Sequence, residues 1–148
     1  KVNAFNYNGA VVFCPGLIQS FQNYGASKEA LMNALSGVIA HELSHSIGSV
    51  HQHESYAAMG RCFEELSGDS DAWNEGNANE FVCDFWSAHV LASRLSEQGN
   101  IGRDALPSFS LSTVFMCDRS ELPEGKVSNG THPHGRFRVN SVVGANPA

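Results

Sequence analysis

Residues 41 to 45 read His-Glu-Leu-Ser-His: two imidazoles four positions apart, with a carboxylate beside the first. On a helix, positions i and i+4 share a face, so His41 and His45 can offer two nitrogens to a single metal ion. Glu42, one residue along, then stands near the ion's open side. A catalytic zinc takes three protein ligands and a water, with a carboxylate nearby to accept that water's proton. A pair of core histidines bonded to backbone would show the same residue types. The run from Ala30 to Ala40 argues for the metal instead, because it is apolar, free of proline and patterned like a buried helix. Two histidines and a glutamate at the end of such a helix are costly to bury without a purpose.

A third ligand has two possible sources. Read on to His51, the segment satisfies HExxHxxGxxH, the metzincin signature, in which Gly48 would turn the chain and His51 would ligate. That arrangement also needs a Met-turn, and Met59 and Met116 both lack its Ser-x-Met-x-Tyr setting. The other source is Glu80, in Asn79-Glu80-Phe81-Val82-Cys83-Asp84. Glu80 and Asp84 are four apart and face the same way on a helix. Glu80 would ligate, and Asp84 would accept a hydrogen bond from a ligating histidine. The alternative is that both are solvated acids on an exposed helix face.

The elements that must carry these groups are legible in outline. Asn8-Gly9 between β-forming residues predicts a hairpin, with Asn3-Ala4-Phe5 as one strand and Val11-Val12-Phe13 as its partner. Pro15-Gly16 ends it. Ser27 is the expected N-cap of the helix that runs into the histidine motif, with Lys28 and Glu29 in its first turn and Gly48 as its terminator. Residues 51 to 71 read as a polar loop with short helical pieces. A second helix is expected from about Asp71 to Leu95, with Phe81, Val82, Phe85, Ala88, Val90 and Leu91 on its buried side. A third is expected over Phe109 to Cys117, and the tail from Glu121 reads as mostly irregular.

With 148 residues, the chain reads as one domain large enough for a sizeable core. Hydrophobic residues make up 42 % and charged ones 16 %, a composition that suits a compact enzyme. A formal charge of −6 with no basic cluster argues against a nucleic-acid partner. No apolar run approaches the roughly 20 residues of a membrane span. The start at Lys1, with no initiator methionine or signal peptide, reads as that of a mature product or a fragment. Cys14, Cys62, Cys83 and Cys117 show no CxxC spacing, which fits two disulfides in any of three connectivities. Together with the sequon at Asn129-Gly130-Thr131, they predict a secreted, extracytoplasmic protein. Nothing in the sequence specifies an oligomeric state.

The tail adds a further pattern, Thr131-His132-Pro133-His134-Gly135-Arg136-Phe137-Arg138-Val139-Asn140. Taken with Val2-Asn3-Ala4-Phe5, the HExxH helix and the Glu-x-x-x-Asp helix, it resembles the catalytic core of the neprilysin family of zinc endopeptidases, in the same order and over nearly the whole chain. The resemblance implies an α+β zincin of the gluzincin kind, a small β-sheet packed on the HExxH helix and a second, ligand-bearing helix. It implies His41, His45 and Glu80 as ligands of one Zn²⁺ and Glu42 as general base. Asp84 would orient a histidine and His132 would stabilise the oxyanion. Arg138 would bind a substrate carbonyl, and Asn3 and Ala4 would hold a peptide or protein substrate as an added strand.

The chain also departs from that family. The large N-terminal helical domain that roofs the family's site has no counterpart here. Ser46-Ile47-Gly48 replaces the acidic residue expected just after the motif, and the stretch from His45 to Glu80 is short. The usual partner of a cysteine at Cys117 would lie in the missing domain. An open cleft that admits folded proteins is the expected consequence. The membrane-associated prenyl-protein and quality-control peptidases share Asn-Ala-Phe, Glu-x-x-x-Asp and a His-Pro…Arg tail, and the same ligand set. The expected activity is therefore zinc-dependent peptide-bond hydrolysis. The alternatives are an astacin-like site using His51 and a non-catalytic zincin-fold binding module.

Overall fold

The structure is a computed structural model, and it describes residues 3–25, 27–46, 61, 64–65, 75–99 and 138. Among the described residues the architecture is α+β: a two-stranded antiparallel sheet, with helices making up most of the rest. Strand β1 (Ala4–Tyr7) pairs with β2 (Ala10–Phe13), Ala4 opposite Phe13 and Tyr7 opposite Ala10. The two residues between them have positive φ, Asn8 at 52° and Gly9 at 80°. A two-residue turn of that hand matches the twist of the strands, and Asn-Gly adopts it at least cost. The Asn6 side chain braces the turn by accepting from Gly9 N–H at 3.1 Å.

Helix α1 (Pro15–Asn23) occupies a stretch for which the sequence reading had no element. Pro15-Gly16 looked like a stop signal. Proline equally starts helices, because its fixed φ suits the first turn and its missing N–H has no partner there anyway. Leu17 and Phe21, four apart, are both buried and anchor α1 to the core.

Helix α2 (Lys28–Ser44) begins as expected, with Ser27 Oγ accepting from Ala30 N–H at 3.1 Å. Its buried residues Ala30, Ala34, Gly37, Val38 and His41 recur at helical spacing and form one stripe. Ala30, Ala34 and Val38 share a core with Ala4, Leu17 and Phe21. Helix α3 (Glu75–Glu97) carries a second stripe, Ala78, Phe81, Val82, Asp84, Ala88, Leu91 and Leu95. The expected start at Asp71 lies outside the described residues. Val90, expected inside, is 48 % exposed.

The two long helices pack against each other and run antiparallel. Asn33 near the start of α2 accepts from Arg94 Nε near the end of α3 at 2.9 Å, while His41 meets Asp84 further along. Among the described residues no helix is long and apolar enough to cross a membrane. The expected helix over Phe109 to Cys117, the terminator Gly48 and the loop reading of 51 to 71 lie outside the described residues or almost wholly so.

Candidate metal centre

The antiparallel packing of α2 on α3 brings the buried end of one stripe, His41, against Glu80 and Asp84 of the other. His45, at the C-cap of α2, lies one turn beyond His41. Three donor groups converge. His41 Nε2 and His45 Nε2 are 3.2 Å apart, His41 Nε2 is 3.3 Å from Glu80 Oε2, and His45 Nε2 is 3.5 Å from Glu80 Oε1. These three residues form a group that could hold a metal ion, with ligand atoms all within 4.8 Å of one another.

Asp84 stands behind His41. It is fully buried, and its Oδ1 lies 2.9 Å from His41 Nδ1. That approach is short but oblique, since Nδ1 has no well-directed hydrogen bond. Arg138 closes the far side of Asp84 with two donors, Nε to Oδ2 at 2.6 Å and NH2 to Oδ1 at 2.8 Å, and reaches Glu80 Oε2 at 3.4 Å. A planar fork on a carboxylate is the strongest ion-pair geometry a protein has. Arg138, which the resemblance puts at a substrate carbonyl, has a side chain 5 % exposed and bound to two acids of the site.

The electrostatics follow from burial and these neighbours. Burial alone would strip the proton from His41, but the Asp84 and Glu80 carboxylates outweigh it and raise the pKa to about 9. His45 goes the other way: burial lowers its pKa, aided by His41 and Arg138, against the pull of Glu80 and Asp84. Burial would push the Asp84 carboxyl up, yet the Arg138 charge and hydrogen bonds, with His41, hold it well below the usual range. Among the described residues the Arg138 guanidinium is shared by Asp84 and Glu80, and the Glu42 charge acts on the neighbouring Cys83. A metal ion held by His41, His45 and Glu80 would offset part of the negative charge gathered here.

Glu42 is buried, and its backbone carbonyl accepts from Asn6 Nδ2 at 2.7 Å. The same amide donates to Ser46 Oγ at 2.7 Å, so Asn6 ties the hairpin to the C-terminal turn of α2. Ala4 is buried at the start of β1, and Asn3 just before it gives its carbonyl to Cys14 N–H at 2.8 Å. The Asn3 side-chain oxygen is buried without a hydrogen-bond partner among the described residues. His51 and His132 lie outside the described residues.

The cysteines require a correction. Cys14 and Cys83 are free thiols, so the expected disulfides do not pass through either; Cys62 and Cys117 lie outside the described residues. Cys83 is fully buried on α3 between Glu80 and Asp84, with Sγ 3.4 Å from His45 Nδ1. Burial, with the charges of Glu80, Asp84 and Glu42, pushes its thiol pKa far up and keeps it protonated. The sequence reading missed this contact, although residue 83 falls on the helix face shared by 80 and 84. A groove of about 530 Å³ on the flank of α2 and α3 is lined by Ile39, Ala40, Leu43, Trp86 and Val90 with Ser36 and Ser44. Among the described residues its lining holds no titratable group, unlike the His-His-Glu cluster.

Comparison with protein-family models, with curated proteins and with solved structures finds no match to this chain.

Proposed function

We propose that the chain is a zinc-dependent metallopeptidase of the gluzincin kind, with His41, His45 and Glu80 as metal ligands and Glu42 as general base. The observation that carries this reading is the convergence of two imidazoles and one carboxylate, with separations of 3.2, 3.3 and 3.5 Å. Ligands at about 2.0–2.1 Å from a tetrahedral zinc stand roughly 3.3–3.4 Å from one another. Two nitrogens and one carboxylate oxygen form a donor set typical of a catalytic zinc with one position left open. Glu80 sits at that convergence, which favours it over His51 as third ligand. When bound, zinc supplies Lewis acidity, polarising the scissile carbonyl and easing ionisation of the attacking water.

The remaining roles fall to the protein. Glu42 accepts the water's proton and returns it to the leaving nitrogen. His132, carried over from the resemblance, donates to the developing oxyanion. Asp84 holds the His41 ring so that Nε2 faces the ligand cluster, and Arg138 keeps Asp84 ionised and fixed. The edge of β1 beside Asn3 and Ala4, unpaired among the described residues, pairs with an extended peptide as an added strand. The resemblance to neprilysin-type catalytic cores supports a peptide substrate. A prenyl-protein or quality-control peptidase would use the same ligands on a different substrate. The free thiols at Cys14 and Cys83 remove the cysteine argument for secretion, and an extracytoplasmic location rests on the Asn129 sequon alone.

The test is Glu42→Gln beside wild type, with zinc content by elemental analysis and hydrolysis of a quenched fluorescent peptide library. Hydrolysis should fall by roughly 10²–10⁴-fold, the usual contribution of a positioned general base, with zinc unchanged. Equal turnover by both proteins, or none by either, overturns the peptidase reading; the second result leaves a metal-holding binding module. Zinc content of Glu80→Ala decides the third ligand. Loss of the metal supports Glu80, and retention moves His51 into its place.

A further inference from the structure

We infer that Cys83 is the positioning residue of His45: its sulfur accepts a hydrogen bond from His45 Nδ1–H and so turns the Nε2 lone pair toward the metal position. The inference rests on the metal site proposed above and assigns the support of its second histidine.

The argument is one of donor and acceptor direction. A thiol has one S–H to give and lone pairs to receive. The Cys83 S–H points to Asn79 Oδ1, one turn earlier on α3, at 3.9 Å, a length acceptable only because sulfur is large. With its proton directed there, Sγ faces His45 Nδ1 at 3.4 Å as an acceptor. That polarity places the imidazole proton on Nδ1 and leaves Nε2 bare. Nε2 is the nitrogen that lies 3.2 Å from His41 Nε2 and 3.5 Å from Glu80 Oε1. The chain Asn79, Cys83, His45 therefore specifies one tautomer, the one a metal ligand must have. Metal-binding histidines generally give their second N–H to an acceptor, most often a carboxylate or a backbone carbonyl.

The two histidines are thus held unequally. His41 faces an ionised, fully buried carboxylate, Asp84, whereas His45 faces a neutral sulfur, a weak acceptor. A second carboxylate at position 83 would add a negative charge beside Glu80 and Asp84. The thiol orients His45 without adding one.

The experiment uses the full chain, loaded with zinc alone and compared with Cys83→Ala and Cys83→Ser. Zinc affinity is measured by competition with a chromophoric chelator, and the His45 ring is followed by proton–nitrogen NMR. In wild type the His45 signals should show a protonated Nδ1 and a metal-bound Nε2. Cys83→Ala should bind zinc about tenfold more weakly, at the low end of the range for lost outer ligand partners. Its Nδ1 proton should also exchange faster. Cys83→Ser, whose hydroxyl can both accept and donate, should recover most of the affinity. A wild-type His45 ligating through Nδ1 overturns the inference whether or not the variants fold. So do folded variants that both bind within twofold of wild type with unchanged ring signals. If wild type takes up no zinc, the metal site itself fails and this inference falls with it. If it takes up one zinc and the Cys83 variants are indifferent, this inference fails alone.

Discussion

Replacing Arg138 by methionine tests the frame of the site separately from its chemistry. Asp84 is fully buried, and Arg138 holds it with two bonds of 2.6 and 2.8 Å. Without the guanidinium, the carboxylate keeps only the oblique 2.9 Å approach of His41 Nδ1 as a described ionic neighbour. Breaking a buried pair from one side costs about 3–5 kcal/mol, because an unpaired charge is left in a medium that solvates it poorly. The residual His41 contact puts the expected loss toward the lower end, about 3–4 kcal/mol. For a chain near 150 residues, each kcal/mol shifts Tm by roughly 2–4 °C, so Tm should fall by roughly 6–16 °C. The assay is urea unfolding followed by far-ultraviolet circular dichroism, with excess chelator so that metal binding does not stabilise the native state. The double variant Asp84→Leu, Arg138→Met should recover most of the loss, because removing both charges also removes their desolvation penalty. A loss below about 1 kcal/mol for the single variant refutes the reasoning. So does a double variant no more stable than the single one.

Two further outcomes follow from the same geometry. Asn6→Ala should lower stability by about 1–3 kcal/mol, because the Glu42 carbonyl and Ser46 hydroxyl lose a donor and Gly9 N–H loses an acceptor; a Tm within 1 °C of wild type would argue that the hairpin is not tied to α2 through this side chain. In the metal-free protein, His41 keeps its proton up to about pH 9, so binding a metal must displace it. The raised pKa stabilises the protonated, metal-free form below that pH, and apparent zinc affinity should therefore rise about tenfold per unit from pH 7 toward pH 9. Competition titrations at three pH values measure the slope, and a flat profile would contradict it.

Much of this arrangement is legible in the sequence because it is local. Asn8-Gly9 predicts a turn with two positive φ values, and the hairpin has it. Ser27 predicts a cap, and its hydroxyl takes the Ala30 N–H. The pairs His41/His45 and Glu80/Asp84 each place two groups on one helix face, and those faces are the ones that meet. The parts that could not be read depend on distance along the chain or on a choice between equal local signals. Arg138 lies 54 positions from Asp84, and no periodicity links them. Asn6 reaches Glu42 across 36 positions from an element of different type. Pro15 is as much a helix starter as a strand terminator, and only the burial of Leu17 and Phe21 decides between them. The spacing of Cys83 suited a disulfide, while its place on α3 puts it against His45.

The helix pair gathers Glu80 and Asp84 in a site mostly hidden from water, where their charges need compensation. Arg138 supplies part of it, with two bonds to Asp84 and one to Glu80. His41 supplies part of it by taking up a proton, as its raised pKa shows. The metal-free chain can therefore hold His41, His45 and Glu80 within reach of one another by using a proton where the ion would sit. On the proposed reading, a metal ion held by His41, His45 and Glu80 would take over the role of that proton. Asp84 and Arg138 would stand outside that exchange, since each already answers the other's charge through a bidentate pair. A fixed ion pair beside an exchangeable position would let the proposed metal bind without repacking α2 against α3.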